Sequence, residues 1–533
     1  MGNYLPKLFV AADRRLLIVI VLCAITFFLN LGKAPIYILD EAKNAQCARE
    51  MLQKHNWVVP TFNQTLRTDK PPLHYFFMSA AYTIFGVNPF AARFFSAICG
   101  LLIVVLTYRF AAKHINKQVG FISALILLGS WQTGLEMRMA VPDPYLILLM
   151  MLALYKAYDF YNSSYTKTSR IIIFYICLGL GMLSKGPVAI LLPLLIILIF
   201  LAAQKQLNIK TFAQFKFGYG LLIIAAISLP WYFLVHQQTH GEWTREFFFT
   251  QNLRRFVHPK EGHGGFFFVP LLFVLIGMLP TSVFIVQACR QIYHKAKTNT
   301  FIRFLSISVL VIAVFFVVSR TKLPNYPMPC YPFLSILLGY YLQQIINANQ
   351  AIKWQTIVIL VIGLAVPVAL FILTKTDPTL KTLPTLWIPF LLLPLGIVVA
   401  LYYQLTAKRY KTRASIFLVL ASFIVTGWIL HAYAYPKVYN QNPVNRILQL
   451  QQRPQQLVSY RMYNAAFNFQ LNQPVVRIES PDSLIQYLNA HPKAQIVTRE
   501  KYLHELDSLP FSVRGAYKDI FEAHTNYVLR YKP

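Results

Sequence analysis

The 533-residue chain is 56% apolar or aromatic and only 13% charged, about half the charged fraction of an ordinary soluble domain. Apolar runs at 16–31, 171–183, 190–203, 266–286, 302–318 and 357–373 are long enough, or nearly so, to cross a hydrocarbon layer of roughly 30 Å. They are continuous and not alternating, which excludes a β-barrel as well as a soluble globule. The net charge of +31 is scattered through interhelical loops and forms no single patch, so it points to anionic membrane lipid and away from nucleic acid.

Lys7, Arg14 and Arg15 precede the first apolar run, which reads as an uncleaved signal anchor with a cytoplasmic start. Further spans are expected at 89–110, 119–136, 142–161, 170–184, 187–203, 217–235, 266–289, 301–318, 328–346, 355–374, 384–405 and 414–431, about thirteen in all. An odd number places the C-terminal tail across the membrane from the N-terminus. Of the 19 acidic residues only Asp13 and Asp159 then fall inside, so the chemistry belongs outside. From about Ala432 the composition becomes that of a water-soluble unit. Ser480 and Pro481 supply the start of a helix, and 494–498 and 527–531 read as strands. The expectation is a polytopic α-helical membrane domain over 1–431, with a long outer loop at 32–88, followed by a small α/β domain over 432–533. The six cysteines give neither a disulfide framework nor a metal cluster.

The loop 32–88 is too long for a bare connection. It opens with Asp40-Glu41-Ala42, where Glu41 is expected to cap a helix. Ala45, Ala48, Met51 and Leu52 share one face of that helix, as in a helix lying along the membrane surface. It closes with Thr68-Asp69-Lys70-Pro71-Pro72, a corner where the double proline prevents helix at Lys70 and holds the Asp-Lys pair rigidly. The remaining outer segments carry Asp143 between two prolines, Ser184-Lys185-Gly186-Pro187, Phe247-Phe248-Phe249 followed by Arg254-Arg255-Phe256, and Ser319-Arg320-Thr321-Lys322-Leu323-Pro324-Asn325-Tyr326. The phenylalanines suit the membrane interface or the route of a lipid tail. Carboxylates beside cations at headgroup depth make a handle for phosphate and sugar. His236, His240, His258 and His263 share a loop without metal-ligand spacing, so no metal and no other cofactor is assigned.

Taken in order, Asp40-Glu41-Ala42, Lys70-Pro71-Pro72, Asn88-Pro89-Phe90-Ala91-Ala92-Arg93, Asp143, Lys185-Gly186, Pro230-Trp231-Tyr232, Arg255-Phe256 and the segment ending in Asn325-Tyr326 resemble the GT-C membrane glycosyltransferases of the aminoarabinose (lipid A) transferase and protein O-mannosyltransferase type. The resemblance runs from the first span to about Pro332, and the family's Glu-Lys-Pro-Pro stands here as Asp69-Lys70-Pro71-Pro72. It implies an inverting enzyme of the inner (plasma) membrane that takes sugar from a polyprenyl-phosphate donor on the outer face. The acceptor it implies is a lipid A-like lipid, or alternatively a protein or cell-wall glycan. By the same resemblance Asp40 is the principal catalytic carboxylate, Asp69 and Asp143 are supporting acids, and Lys70, Arg255 and Tyr326 hold the donor phosphate, with Lys185 a further candidate that could instead snorkel to headgroups. The chemistry agrees: the leaving group is already a phosphodiester, so the site needs cations for the phosphate and a carboxylate near the anomeric carbon or the attacking oxygen. A lipid flippase or secondary transporter is the rival class, but it would place its acids near span centres.

Overall fold

The computed structural model describes residues 13–254, 265–406, 411–450, 456–462, 464–522 and 524–532. Lys7, Arg255, Phe256, His258 and His263 lie outside the described residues. The chain is predominantly helical. Among the described residues seven helices are long and apolar enough to cross a membrane, or eight when one bent pair is taken as a single span. The expected spans at 16–31, 119–136, 142–161, 187–203 and 328–346 fall on helices of 15, 13, 20, 16 and 17 residues: α1 (Arg14–Phe28), α5 (Lys117–Gly129), α7 (Asp143–Asn162), α9 (Val188–Ala203) and Tyr331–Asn347. Local signals set their ends. Asn88 Oδ1 accepts the Ala91 N–H at the head of α4 (Pro89–His114), where Pro89 occupies a position that needs no donor.

The expected span 266–289 is broken. A helix Val269–Gly277 meets the segment Thr281–Thr298 at 114°. Gly277 lies at the break, and a Cβ there would stand 2.0 Å from the Tyr331 hydroxyl and 1.9 Å from Gln132 Oε1. Only glycine lets those two polar groups reach the backbone, and Pro280 cannot continue the ladder.

The loop 32–88 is a folded unit. It holds α2 (Leu39–Lys54), a hairpin of β1 (Thr61–Phe62) and β2 (Thr65–Leu66) turning through Asn63 and Gln64, and α3 (Leu73–Phe85). Helix α2, expected to present its apolar face to the membrane surface, is covered by protein instead, since every residue from Asn44 to Met51 is buried. Helix α3 covers one side, with Ser79 and Tyr82 hydroxyls donating to the carbonyls of Ala48 and Ala45. The C-terminal unit covers another, where Arg49 donates to the Phe469 carbonyl at 2.8 Å. The polar face of α2 therefore finds partners in protein and not in headgroups.

That C-terminal unit carries a five-stranded mixed sheet, β3 (Leu457–Tyr460), β4 (Val476–Ile478), β5 (Gln495–Arg499), β6 (Phe511–Lys518) and β7 (Thr525–Tyr531), in the order β4-β3-β5-β7-β6. Strand β3 runs parallel to β4 and β5, and the β5-β7-β6 edge is antiparallel. Val458, Tyr460, Leu484, Leu488, Ile496 and Leu529 form a core of their own. Val497 and Val528 belong instead to an apolar cluster shared with Ala45, Ala48 and Met51 of α2. Tyr37 also donates to Asp519 across this seam. The sheet is thus packed onto the first loop.

Candidate active site

Residues 61–72 carry the chain from the hairpin to the proline corner, and the corner is anchored from behind by Arg67. This guanidinium is 4% exposed. It donates to Asn44 Oδ1 at 2.7 Å and stands 3.6 Å from Asp69 Oδ2, while its own carbonyl accepts from the Trp243 indole at 2.8 Å. Burial works against its charge, but Tyr75, Cys47, Asp69 and Asp40 around it raise its pKa further. His74, buried beside it, is pushed well down by burial and then by the charges of Arg67 and Lys70, so it is neutral.

Asp143 opens α7 at a helix N-terminus, where backbone N–H groups favour a carboxylate. Its Oδ1 meets Lys185 Nζ at 2.5 Å, from the last residue of α8 (Thr168–Lys185), and accepts the Asn325 amide at 2.9 Å. The same amide lies 3.5 Å from Glu136 Oε1, at the end of α6 (Trp131–Glu136). Lys185 sits 5.2 Å over the Tyr326 ring. Lys185 therefore does not snorkel; it is paired and largely buried. The chain turns at once after it, through Gly186 at φ +82°, and a Cβ there would strike the Phe247 ring at 2.7 Å. That close approach brings in the π-helical segment Glu246–Arg254, pinned through Phe247 to Trp231, Tyr232 and Trp243.

These pieces enclose a cavity of about 430 Å³. Asp69, Lys70, Asp143, Lys185, Asn325 and Tyr326 supply its polar wall, with Gln251 and Asn252. Its apolar wall includes Phe247, Phe248, Val188, Phe315 and Phe316 together with Leu191 and Leu253, which are exposed on the outside of the helices. The cavity is charged at one end and greasy toward the lipid-facing side, the division a phosphate bearing a long hydrocarbon tail would need.

Five of the seven residues expected from sequence thus line one cavity: Asp69, Lys70, Asp143, Lys185 and Tyr326. Asp40 does not line it. It stands exposed in the first turn of α2, close enough for its charge to act on Arg67 and on Glu136. Arg255 lies outside the described residues. Glu41, expected to cap α2, is instead fully buried in a two-point ion pair with Arg93 of α4, at 2.7 and 2.8 Å, and accepts the Ala140 N–H at 3.0 Å. Sequence reasoning missed Arg93, Arg67, Glu136 and Asn325 as site-building residues. Arg93 and Asn325 lay within motifs that carried the resemblance, whereas nothing in the neighbourhood of Arg67 or Glu136 signals their partners.

A protein-family profile described as dolichyl-phosphate-mannose-protein mannosyltransferase matches residues 69–233. That stretch takes in Asp69, Lys70, Asp143 and Lys185. An undecaprenyl phosphate-alpha-4-amino-4-deoxy-L-arabinose arabinosyl transferase from Photorhabdus laumondii is 26% identical, covering 79% of this chain and 77% of that one. A second transferase of that name from Pseudomonas fluorescens is 31% identical, over 61% of this chain and 59% of that one. The fold is similar to the crystal structure of ArnT from Cupriavidus metallidurans bound to undecaprenyl phosphate, with a TM-score of 0.78 at 20% identity, covering 97% of this chain and 98% of that one. The resemblance seen in the motifs therefore holds in sequence and in fold. The chain is thus similar in sequence to the aminoarabinose transferases and to the protein mannosyltransferases, membrane glycosyltransferases of the GT-C type, and shares the fold of the former.

Proposed function

We propose that this chain moves a sugar from a polyprenyl-phosphate donor to a lipid A-like acceptor on the outer face of the inner membrane. The observation that carries this is the cavity itself, in which Lys70, Lys185 and Tyr326 line a pocket with Asp69 and Asp143 while its apolar wall reaches exposed Leu191 and Leu253. In this reading Lys70, Lys185, Arg255 and Tyr326 hold the donor phosphate as its charge grows. Asp143 keeps Lys185 aimed, and Asn325 fixes Asp143. Asp40 and Asp69 face the sugar, where a carboxylate either stabilises positive charge at the anomeric carbon or takes a proton from the acceptor. A lipid phosphate acceptor arrives ionised and needs no base, whereas a hydroxyl does. The names of the relatives support undecaprenyl phosphate as carrier and a 4-amino-4-deoxy-arabinose as sugar.

In the same reading the shorter helices also cross, giving thirteen spans over 1–431 with the N-terminus cytoplasmic, and residues 432–533 form the outer domain. A membrane-impermeant thiol reagent should label Ser483→Cys from outside and Asn299→Cys only after permeabilisation; labelling of both from one side defeats this topology. The function is tested with purified protein in nanodiscs. It should bind undecaprenyl phosphate more tightly than phosphatidylglycerol and, when supplied with undecaprenyl-phosphate-linked 4-amino-4-deoxy-arabinose, convert lipid A to a heavier, sugar-bearing species detected by mass spectrometry, releasing undecaprenyl phosphate. Equal affinity for the two lipids, with no product, would refute the assignment.

A further inference from the structure

A second cavity, of about 490 Å³, lies away from the charged pocket, between the first loop, the turn into α4 and the C-terminal unit. Ile36, Arg49, Val87, Asn88, Gln449 and Phe469 are among its walls, and Arg49 is the one charged residue among the described residues lining it. Arg49 is 5% exposed. Its hydrogen bonds run through Nη1 alone, to the Phe469 carbonyl and to Gln46 Oε1, and its Nε is buried without a partner among the described residues. Glu50, the neighbouring carboxylate, makes no ion pair with it, because Glu50 accepts from Thr61, Asn63 and Gln64 of the hairpin and favours the guanidinium only from a distance. The Phe469 ring lies 4.4 Å from the guanidinium carbon and holds it in place. A guanidinium withdrawn from water and bonded to no carboxylate among the described residues, on the wall of an open cavity, is an arrangement that an anion would relieve.

The position of the cavity identifies the kind of anion. Its floor is the turn from α3 into α4, an apolar membrane-crossing helix, and the side chains of that approach are large and exposed: Ile84 at 68%, Phe85 at 41% and Val87 at 37%. A ligand bound at Arg49 therefore has apolar surface beside it at the level where the chain enters hydrocarbon. We propose that this cavity binds the phosphate of a membrane lipid, with Arg49 donating to the phosphate oxygens and an acyl chain lying against Ile84, Phe85 and Val87. The lipid is either a bilayer phospholipid or a phosphorylated glycolipid, including one that serves as acceptor. Asp40 precedes Arg49 by nine residues on α2, about 13 Å at the helical rise, so the cavity is an anchor and not a second reaction centre. The site stands whether or not the chain transfers sugar.

Titration of the full-length protein in detergent with a fluorescent phosphatidylglycerol, against fluorescent diacylglycerol, which lacks the phosphate, as control, tests the site. Gln449 is exposed at the mouth of the cavity, so Gln449→Glu adds a carboxylate there and leaves the bonds of Arg49 intact. Gln449→Glu and Arg49→Gln should each weaken phosphatidylglycerol binding about tenfold, whereas Arg49→Lys should change it by less than about threefold. Diacylglycerol binding should be unaffected throughout. If Arg49→Gln fails to fold, Gln449→Glu decides alone. Unchanged phosphatidylglycerol affinity in Gln449→Glu overturns the proposal. Displacement of the probe by diphosphorylated lipid A assigns the cavity to a glycolipid, and failure to displace it assigns the cavity to phospholipid.

Discussion

Replacing Arg93 by methionine should loosen the first loop and, with it, the placement of Asp40. Arg93 is 2% exposed and its partner Glu41 is fully buried. The guanidinium makes five hydrogen bonds, two to the Glu41 carboxylate and one each to the carbonyls of Leu31, Ala34 and Pro35 at 3.1, 2.7 and 3.3 Å. Methionine fills most of the volume but leaves a buried carboxylate whose one remaining donor among the described residues is the Ala140 N–H. Removing one member of such a pair costs about 3–5 kcal/mol, most of it from the charge left behind. The unfolding midpoint in detergent should therefore fall by roughly 3–5 °C. Glu41→Gln should cost less, and the double variant should be more stable than the sum of the single effects predicts, by about 1–3 kcal/mol. Because Asp40 is the adjoining residue at the head of α2, sugar transfer should fall further than the loss of folded protein explains. Thermal-shift and transfer assays on the four proteins of this cycle measure both quantities. An Arg93→Met protein with the wild-type midpoint, or strict additivity in the double variant, would refute the clamp.

Other outcomes follow from the same geometry. Lys70→Ala and Lys185→Ala should each weaken undecaprenyl-phosphate binding by roughly tenfold to a hundredfold, as expected for a lost charge-assisted hydrogen bond of about 1.5–3 kcal/mol; unchanged affinity in both would return these lysines to structural duty. Asp40→Asn keeps the shape and removes the charge, so transfer should drop about a hundredfold or more with donor binding near normal, and near-normal turnover would shift the assignment to Asp69 or Asp143. For the seam between Asp377 and Lys518, joined at 2.9 Å, burial raises the carboxyl pKa, but the Lys518 bond and the N–H groups of Leu380 and Thr379 outweigh it and hold it below the usual value. A depressed carboxyl stabilises the seam at neutral pH and releases that stabilisation as pH falls below about 4, and the exposed lysine limits it to about 0.5–1 kcal/mol. Amide protection at Thr379 and Leu380, corrected for the intrinsic exchange rate at each pH, should accordingly fall in acid in the wild type and be low at all pH in Asp377→Ala; wild-type protection that does not change with pH would contradict this.

Much of the architecture follows from the sequence alone. Continuous apolar runs cannot leave their backbone groups unpaired in hydrocarbon, so they must be helices, and helices stand where the runs do except at 266–286, which breaks after Gly277. The loop 32–88 was legible as a working unit because of its length, and the proline corner because two prolines in succession leave the backbone no helical choice. Ordered motifs sufficed to place Asp69, Lys70, Asp143, Lys185 and Tyr326 on one list, and the tertiary structure gathers those five around one cavity. What sequence could not supply is partner choice between distant segments. The apolar stripe of α2 has the same pattern whether it meets lipid or protein, and only the packing of α3 and the C-terminal sheet decides that it is buried. Glu41 and Arg93 are 52 positions apart, and Asp143 and Asn325 are separated by 182. Such pairings cost chain entropy that only the rest of the fold can offset, and no local pattern announces them. The sequence by itself therefore determined the membrane, the helices and the chemical kinds of residue in play. Tertiary structure decided which charges face one another, because that depends on which helix ends the packed bundle brings within a few ångströms.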